Sequence, residues 1–470
     1  MIAALLSAFS LARAQEPAPP ARALPEPYAA ALRVANVPQT AVGTMVLPLG
    51  TDAASGPLAI SLNPSLPLNP ASTMKLVTTY AALQLLGPAY TWRTEAFAAG
   101  ALRGDVLDGD LAFRGGGDPT LVIERMWLLV QRLRTFGIRA IHGDVLLDRS
   151  AFALAPVDPG AFDGEVLRPY NAPPDALLLN FKAVTFGFVP EPDTRRVRVV
   201  AMPPLAGLKL PRSVPALDGA CGDWRARLQA DFSNALAPLF RGGYPLACGE
   251  RHWHVSVLDH TQYFDAAFRA LWEGAGGAWT GTARDAAVPA DALRVALHES
   301  EPLASVIREI NKHSNNVMAR QLYLTLGAEA ARQRGSPERA ASALRAWLAG
   351  RGLEMPELQL ENGAGLSRSE RISAASLARL LAHAFASPLM PEFVSSLPLA
   401  GVDGTMKNRT GAAGSAHIKT GLLAEVRAIA GYVHAASGRR YAVVSIINHP
   451  NAGNAQPAHD ALLDWVHRNG

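Results

Sequence analysis

The stretch Asn69-Pro70-Ala71-Ser72-Thr73-Met74-Lys75-Leu76 constrains this chain more than any other. It predicts the start of a buried helix. Pro70 stops any preceding helix, and Ser72 stands at an N-cap or first-turn position. The apolar run Leu76, Val77, Tyr80, Leu83 and Leu86 follows, and Gly87-Pro88 ends it. Residues i and i+3 share a helix face, so the Lys75 ammonium can lie beside the Ser72 hydroxyl. A serine hydroxyl is a poor nucleophile until a base takes its proton. A lysine held in a dry, positively charged pocket loses its charge and can act as that base. N–H groups at a helix start stabilise negative charge that develops beside them. A capping serine and a surface lysine three residues apart would give the same local pattern. The lysine inventory weighs against coincidence. The only lysines are Lys75, Lys182, Lys209, Lys312, Lys407 and Lys419, and Ser72–Lys75 is the only S-x-x-K.

A chain of 470 residues is too long for one ordinary core, so about two or three domains are expected. The hydrophobic fraction of 49% and charged fraction of 18% belong to a globular protein. The net charge of +4 is spread along the chain with no Lys/Arg block. That argues against a nucleic-acid partner and suits an anionic polymer. Ile2 to Leu11 is a short apolar run, and Ala12-Arg13-Ala14 is an A-x-A cleavage site. Residues 1–14 therefore predict a secretory signal peptide, although no positive residue precedes the apolar run. Gln15 to Pro27 reads as a Pro/Ala-rich tail. No later segment has the roughly 18 apolar residues of a membrane span. An exported protein without a transmembrane segment is expected, with peripheral membrane contact and the choice between monomer and homodimer left open. Cys221 and Cys248 are the only cysteines, in no C-x-x-C motif. Export favours one disulfide between them, worth roughly 2–4 kcal/mol.

Tyr28–Val34 predicts a short helix, and Thr40–Leu47 and Pro57–Leu62 a hairpin around a Gly50…Gly56 turn. Thr91–Ala98, Ala101–Leu107 and Asp110–Arg114 read as three strands. Gly115-Gly116-Gly117-Asp118-Pro119 lacks the rest of any phosphate-loop motif and reads as a turn into a Leu121–Phe136 helix. Leu177–Phe188, Arg195–Met202, Trp253–Asp259 and Leu293–Leu297 predict strands, and His260–Glu273 an amphipathic helix. Residues 91–292 thus read as a β-rich insertion between 15–90 and 293–470. From Pro302 helices return at Pro302–Ile310, Asn315–Leu326, Pro337–Ala349, Ala374–Ala386 and Leu389–Ser396. Strands Glu425–Ala435 and Arg440–Ile447 and a helix Gln456–Arg468 close the chain.

Two further motifs lie downstream. Ser314-Asn315-Asn316 falls between two predicted helices, and Lys419-Thr420-Gly421, the only K-T-G, falls just before the last strand pair. S-x-N alone is weak, since Ser61-Leu62-Asn63 matches it too. The ordered set carries the weight. It resembles the penicillin-binding proteins and serine β-lactamases, with their S-x-x-K, S-[DN]-N and K-T-G. The 242 residues from Ser72 to Ser314 resemble the class C low-molecular-mass penicillin-binding proteins, the D-alanyl-D-alanine carboxypeptidase/endopeptidase type. Gly115-Gly116-Gly117-Asp118-Pro119-Thr120-Leu121, Gly143-Asp144-Val145-Leu146-Leu147-Asp148, Asn362-Gly363-Ala364-Gly365-Leu366-Ser367-Arg368, Gly401-Val402-Asp403-Gly404-Thr405 and Ala430-Gly431-Tyr432-Val433 are similar to that family as well.

The resemblance implies an α+β fold: a transpeptidase-like domain, an antiparallel sheet flanked by helices, split by the β-rich insertion. It implies a serine peptidase acting on peptidoglycan stem peptides, acylated by β-lactams, periplasmic, without cofactor or metal. Ser72 is implied as nucleophile, Lys75 as its base, Ser314 as proton relay and Asn316 as the group holding substrate amide and Lys75. Lys419 would keep the pocket positive and Thr420 would bind the substrate carboxylate. Gly421 and Leu422 follow on the same segment, and the N–H groups of Ser72 and Leu422 would form the oxyanion hole. Leu422 departs from the small hydroxyl residue common after K-T-G.

Other readings are weaker. His252-Trp253-His254 puts two imidazoles on one strand face with no third ligand, which favours a structural role. His313 and His417 flank motifs and are candidates for pKa tuning. Asn180 and Phe181 fit a buried strand end or a cleft wall equally. No H-E-x-x-H supports a metallopeptidase. A β-lactamase would show E-x-x-L-N or Y-x-N, and Tyr170-Asn171-Ala172 misses the latter by one position. A non-catalytic cell-wall-binding protein of the same fold is the alternative from another class.

Overall fold

The computed structural model describes residues 24–50 and 59–470. The signal-peptide reading, most of the tail and the Gly50…Gly56 turn lie outside the described residues. Five antiparallel strands form the sheet nearest the serine, in the order Ala416–Leu423, Val426–His434, Arg440–Asn448, Val42–Leu49 and Ile60–Leu62. Side chains alternate across a strand, and here the alternation sorts two cores. Ala428, Ala430, Tyr432, Ala442, Val444 and Ile446 face a cluster of helices. Ile429, Val433, Tyr441, Val443 and Ile447 face the first and last helices, Glu26–Val34 and Gln456–Asn469.

The helical side is organised around Lys75–Leu86, whose residues 75–83 are all buried. A helix apolar on every face must be enclosed on every face. Leu303–His313, Asn316–Ala331, Pro337–Gly350, Ala374–Phe385 and Met390–Ser396 enclose it. Tyr80 packs its ring against Trp347 and Phe393, with centroids 5.6 and 5.2 Å away.

The other face hides a polar network. Tyr28 Oη lies 2.9 Å from Thr44 Oγ1 and 2.8 Å from Ser445 Oγ, and His459 Nε2 lies 3.1 Å from the same Ser445 Oγ. All four residues are inaccessible to solvent. Burial drives the His459 imidazole well below its usual pKa, and the Arg409 and Arg427 guanidinium charges push the same way. The unfolded chain takes up this proton near pH 6.5 and the folded chain does not. Stability is therefore expected to fall as pH drops below about 6.5, by up to roughly 1.4 kcal/mol per pH unit from this group. Urea unfolding at pH 7 and pH 5 checks it: His459→Gln, neutral at both, should show a smaller difference between the two midpoints than the parent chain.

Between Trp92 and Ser300 the chain builds a second unit with its own core. Strands Arg93–Arg103, Val106–Gly115, Ala140–Ile141, Val145–Asp148, Ala278–Trp279, Ala283–Asp285 and Leu293–Glu299 make one mixed sheet, associated with the helices Ile123–Phe136 and His260–Gly274. Val184–Glu191, Arg196–Met202, Ser213–Leu217, Tyr244–Pro245 and Arg251–Val255 make another. Phe113, Phe264, Phe268, Phe186, Phe188 and Tyr244 join them in one cluster. Cys221 and Cys248 are bonded, with Cα atoms 4.7 Å apart.

Several boundaries differ from the sequence reading. The strand Leu293–Glu299 pairs with Arg93–Ala98, so it belongs to the inserted sheet and not to the segment opened at 293. Trp92 N–H donates to Ser300 Oγ (3.0 Å) and Ser300 N–H to the Trp92 carbonyl (3.0 Å). We infer that the inserted unit begins and ends at this crossing. The three strands expected over 91–114 are two. Gly100 pairs with Gly109 within one hairpin, and the glycines allow a backbone approach that a Cβ would block. The strand expected from Leu177 begins only at Val184, because Asn180, Phe181 and Lys182 take three successive left-handed φ values of 48°, 53° and 54°.

Candidate active site

Ser72 does not cap the helix. It lies in a 3-10 turn, Ala71–Met74, and Lys75 is the first α-helical residue. Asn69 clamps this turn to the sheet: its N–H donates to Asn448 Oδ1 (2.7 Å), and Asn448 Nδ2 donates back to its carbonyl (3.0 Å). Asn69 Oδ1 accepts from Ala71 N–H (2.9 Å), holding Ala71 at φ 45°. A Cβ on Gly365 would stand 1.9 Å from the Ala71 carbonyl oxygen, and one on Gly421 2.6 Å from that of Pro70. Only glycine lets these two segments approach the serine turn so closely.

Lys75 is fully buried. Its Nζ lies 2.9 Å from Ser72 Oγ, 2.6 Å from Asn316 Oδ1 and 2.5 Å from the Ala364 carbonyl oxygen. Burial depresses its pKa well below the usual lysine value, the Lys419 charge adds to this, and Glu370 opposes it. A neutral amine has two N–H donors and one lone pair. The two carbonyl oxygens accept only, so they take the two donors and leave the lone pair facing the Ser72 hydroxyl. This arrangement can withdraw the hydroxyl proton.

The helix Leu303–His313 ends at Ser314, whose φ of 56° turns its side chain inward. Asn315 caps the next helix by accepting from Met318 N–H (3.1 Å), which starts that helix at Asn316. Lys419 Nζ donates to Ser314 Oγ (2.8 Å) and to the Thr420 carbonyl (2.7 Å). Burial alone pushes Lys419 down to about 7. The K-T-G triplet lies within the edge strand Ala416–Leu423, an element the sequence reading did not include, ahead of the last strand pair. Ile418 N–H donates outward to the Pro398 carbonyl (2.8 Å). By antiparallel alternation the N–H groups of Thr420 and Leu422 point to that same outer edge.

Sequence reasoning missed Glu370. It is fully buried, and its Oε1 accepts from Glu361, Asn362 and Gly363 N–H at 3.1, 3.0 and 2.9 Å. That turn presents the Ala364 carbonyl to Lys75. Burial raises the Glu370 pKa while its three backbone N–H partners lower it, and a glutamine Oε1 can accept the same three bonds. Glu370→Gln is expected within about 1 kcal/mol of the parent, and Glu370→Ala to lose roughly 3 kcal/mol by stranding three donors, measured by guanidinium unfolding.

The inserted unit reaches this site. Gln321, on the helix that begins at Asn316, accepts from Asp175 N–H (3.0 Å) and donates to the Asp175 carbonyl (2.7 Å). A cavity of about 360 Å³ beside Ser314 and Asn316 is walled by Pro169, Tyr170, Phe181 and His254 of the insertion. Phe181 is thus a cleft wall. Asn180 is structural, donating to the Ala183 carbonyl (3.2 Å) and Tyr263 Oη (3.0 Å). A second cavity, about 560 Å³, is lined by Arg320, Tyr323, Asn362 and Leu366 together with Phe162, over whose ring the Arg368 guanidinium sits at 4.6 Å. His252 lies near Glu250 (3.4 Å), His254 bonds Thr185 (2.8 Å) and His313 lies near Glu309 (3.6 Å). The His417 ring packs 5.8 Å from that of His434.

A helix-flanked antiparallel sheet, with the lysine–serine cluster between helix and edge strand, is the fold class of the penicillin-binding proteins. It matches the crystal structure of penicillin-binding protein 4 (dacB) from Haemophilus influenzae with a TM-score of 0.77, at 21% identity, over 94% of this chain and 99% of that one. The same protein complexed with a novel β-lactam matches with a TM-score of 0.72, at 20% identity, over 93% and 99%. The chain belongs to the D-Ala-D-Ala carboxypeptidase 3 (S13) family, whose sequence profile covers residues 29–469. It is 30% identical over 442 residues to the D-alanyl-D-alanine carboxypeptidase of Actinomadura sp. (strain R39), a match that takes in 88% of this chain and 79% of that one. Among the described residues no helix is long and apolar enough to cross a membrane.

Proposed function

We propose that this chain is an exported, periplasmic serine D-alanyl-D-alanine carboxypeptidase and endopeptidase acting on peptidoglycan stem peptides, and that β-lactams acylate the same serine. Ser72 Oγ attacks the carbonyl carbon of the penultimate D-alanine as its proton passes to Lys75 Nζ. The resulting oxyanion is held by the N–H groups of Ser72 and Leu422. A donor aimed at such an oxyanion contributes roughly 3–4 kcal/mol. The C–N bond then breaks, and the departing amine takes a proton by way of Ser314. Water hydrolyses the acyl-Ser72 ester. Asn316 holds the substrate amide and Lys75, Lys419 keeps the pocket cationic, and Thr420 binds the terminal carboxylate.

The observation that carries this reading is the Lys75 Nζ environment: two acceptors and one hydroxyl around a buried amine. The β-lactam held by the related Haemophilus protein supports the inhibitor class. The intact mass after incubation with benzylpenicillin, and D-alanine release from a peptide ending in D-Ala-D-Ala, test it together. The expected result is one stable adduct on the Ser72 peptide and measurable release. No adduct and no release would sink the reading in favour of a binding role, and an adduct lost within seconds would favour a β-lactamase.

A further inference from the structure

The Leu422 side chain brings no hydrogen-bonding group to the outer edge of the K-T-G strand, where the residue is 61% exposed. Thr420 lies on the same face of that strand, two residues earlier. Thr420 Oγ1 donates to Thr405 Oγ1 at 2.8 Å, and this hydroxyl pair is open to solvent. We propose that Thr405 and Thr420 together form the clamp for the substrate's terminal carboxylate, Thr405 supplying the hydroxyl that Leu422 lacks. This inference rests on the reaction proposed above.

Thr405 is held where such a clamp needs it. It lies in the turn Gly404–Met406, and Met406 N–H donates to the Asp403 carbonyl (3.2 Å). The Asp403 carboxylate accepts from Lys312 Nζ (2.6 Å) through one oxygen and from Leu399 N–H (2.8 Å) through the other. Gly404 has φ 55°, and a Cβ there would stand 2.4 Å from the Lys312 carbonyl oxygen. The turn is therefore pressed onto the end of the same helix that delivers Ser314. One helix terminus sets both the serine beside Lys419 and, through Asp403, the hydroxyl beside Thr420. Without substrate the two hydroxyls satisfy each other. A carboxylate has two acceptor oxygens, and each hydroxyl can turn its proton to one of them. The Lys419 ammonium, on the Thr420 carbonyl, adds favourable charge behind the pair.

The test uses the full chain and two substrates, an acylated D-Ala-D-Ala peptide and the same peptide with a C-terminal amide. Thr405→Val keeps the shape and removes the hydroxyl. It is expected to lower kcat/KM about tenfold or more on the acid and to leave the amide within about twofold. Thr405→Ser should stay near the parent. Thr405→Val combined with Leu422→Thr should recover most of the loss, because it returns a hydroxyl to the same edge. Equal losses on both substrates would show that Thr405 only props the turn and would overturn the proposal. An unchanged acid rate, or no recovery in the double variant, would overturn it too. A parent chain that turns over neither substrate and takes up no penicillin would fail at the reaction itself, a result distinct from all of these.

Discussion

Replacing Ser72 by alanine is expected to abolish the penicillin adduct and to reduce D-alanine release by about 10⁴-fold or more. Ser72 is half-buried and its side chain is small. The turn that carries it is held by Asn69, Asn448 and Gly365 through contacts that do not involve its hydroxyl. The variant should therefore unfold at nearly the parent denaturant concentration, within about 0.5 kcal/mol. Loss of labelling at unchanged stability separates chemistry from folding. Labelling of Ser72→Ala at the parent rate would place the nucleophile elsewhere.

The second large effect concerns Lys75 and its dependence on Lys419. Lys75→Gln should slow acylation by roughly 10²–10⁴-fold, the range of a positioned base. The pH profile tests the electrostatics. Lys75 must be neutral to accept a proton, so kcat/KM falls on the acid side as pH drops through its depressed pKa. Lys419 must be charged to hold the pocket positive, and burial pushes it down to about 7. The basic limb of the free enzyme is therefore expected near pH 7. Lys419→Arg, charged at every accessible pH, should remove that limb from the measured range, although its forked head costs absolute rate. A basic limb unmoved in Lys419→Arg would assign it to another group.

How much of this was legible in the sequence differs from residue to residue. Ser72, Lys75, Ser314, Asn316 and Lys419 stand out because lysine is scarce and the motifs fall in a fixed order, and the structure brings them within hydrogen-bonding reach. K-T-G does precede the last strand pair, but the strand that carries it was not legible, since glycine is disfavoured inside strands. Its glycine serves close approach to Pro70 inside a continuous strand. Gly100 and Gly109 misled for the same reason. Glu370 left no periodic or compositional trace, since its partners are three backbone N–H groups that only the folded turn brings together. The left-handed run at Asn180, Phe181 and Lys182 was invisible as well. Local propensity predicts strand there, and tertiary bonds from Asn180 to Tyr263 and Ile123 override it.

The crossing at Trp92 and Ser300 bears on how the chain finds its fold. Val42–Leu49 pairs with Arg440–Asn448, partners separated by most of the sequence. Closing a loop of that size costs entropy, about 0.6 kcal/mol more for each doubling of length, and slows the search for non-local partners. The intervening unit has its own core and disulfide, and its two ends meet in a pair of hydrogen bonds. Once it has folded, the ends of the remaining chain are already tethered side by side, and the sheet forms as though some two hundred residues had been excised.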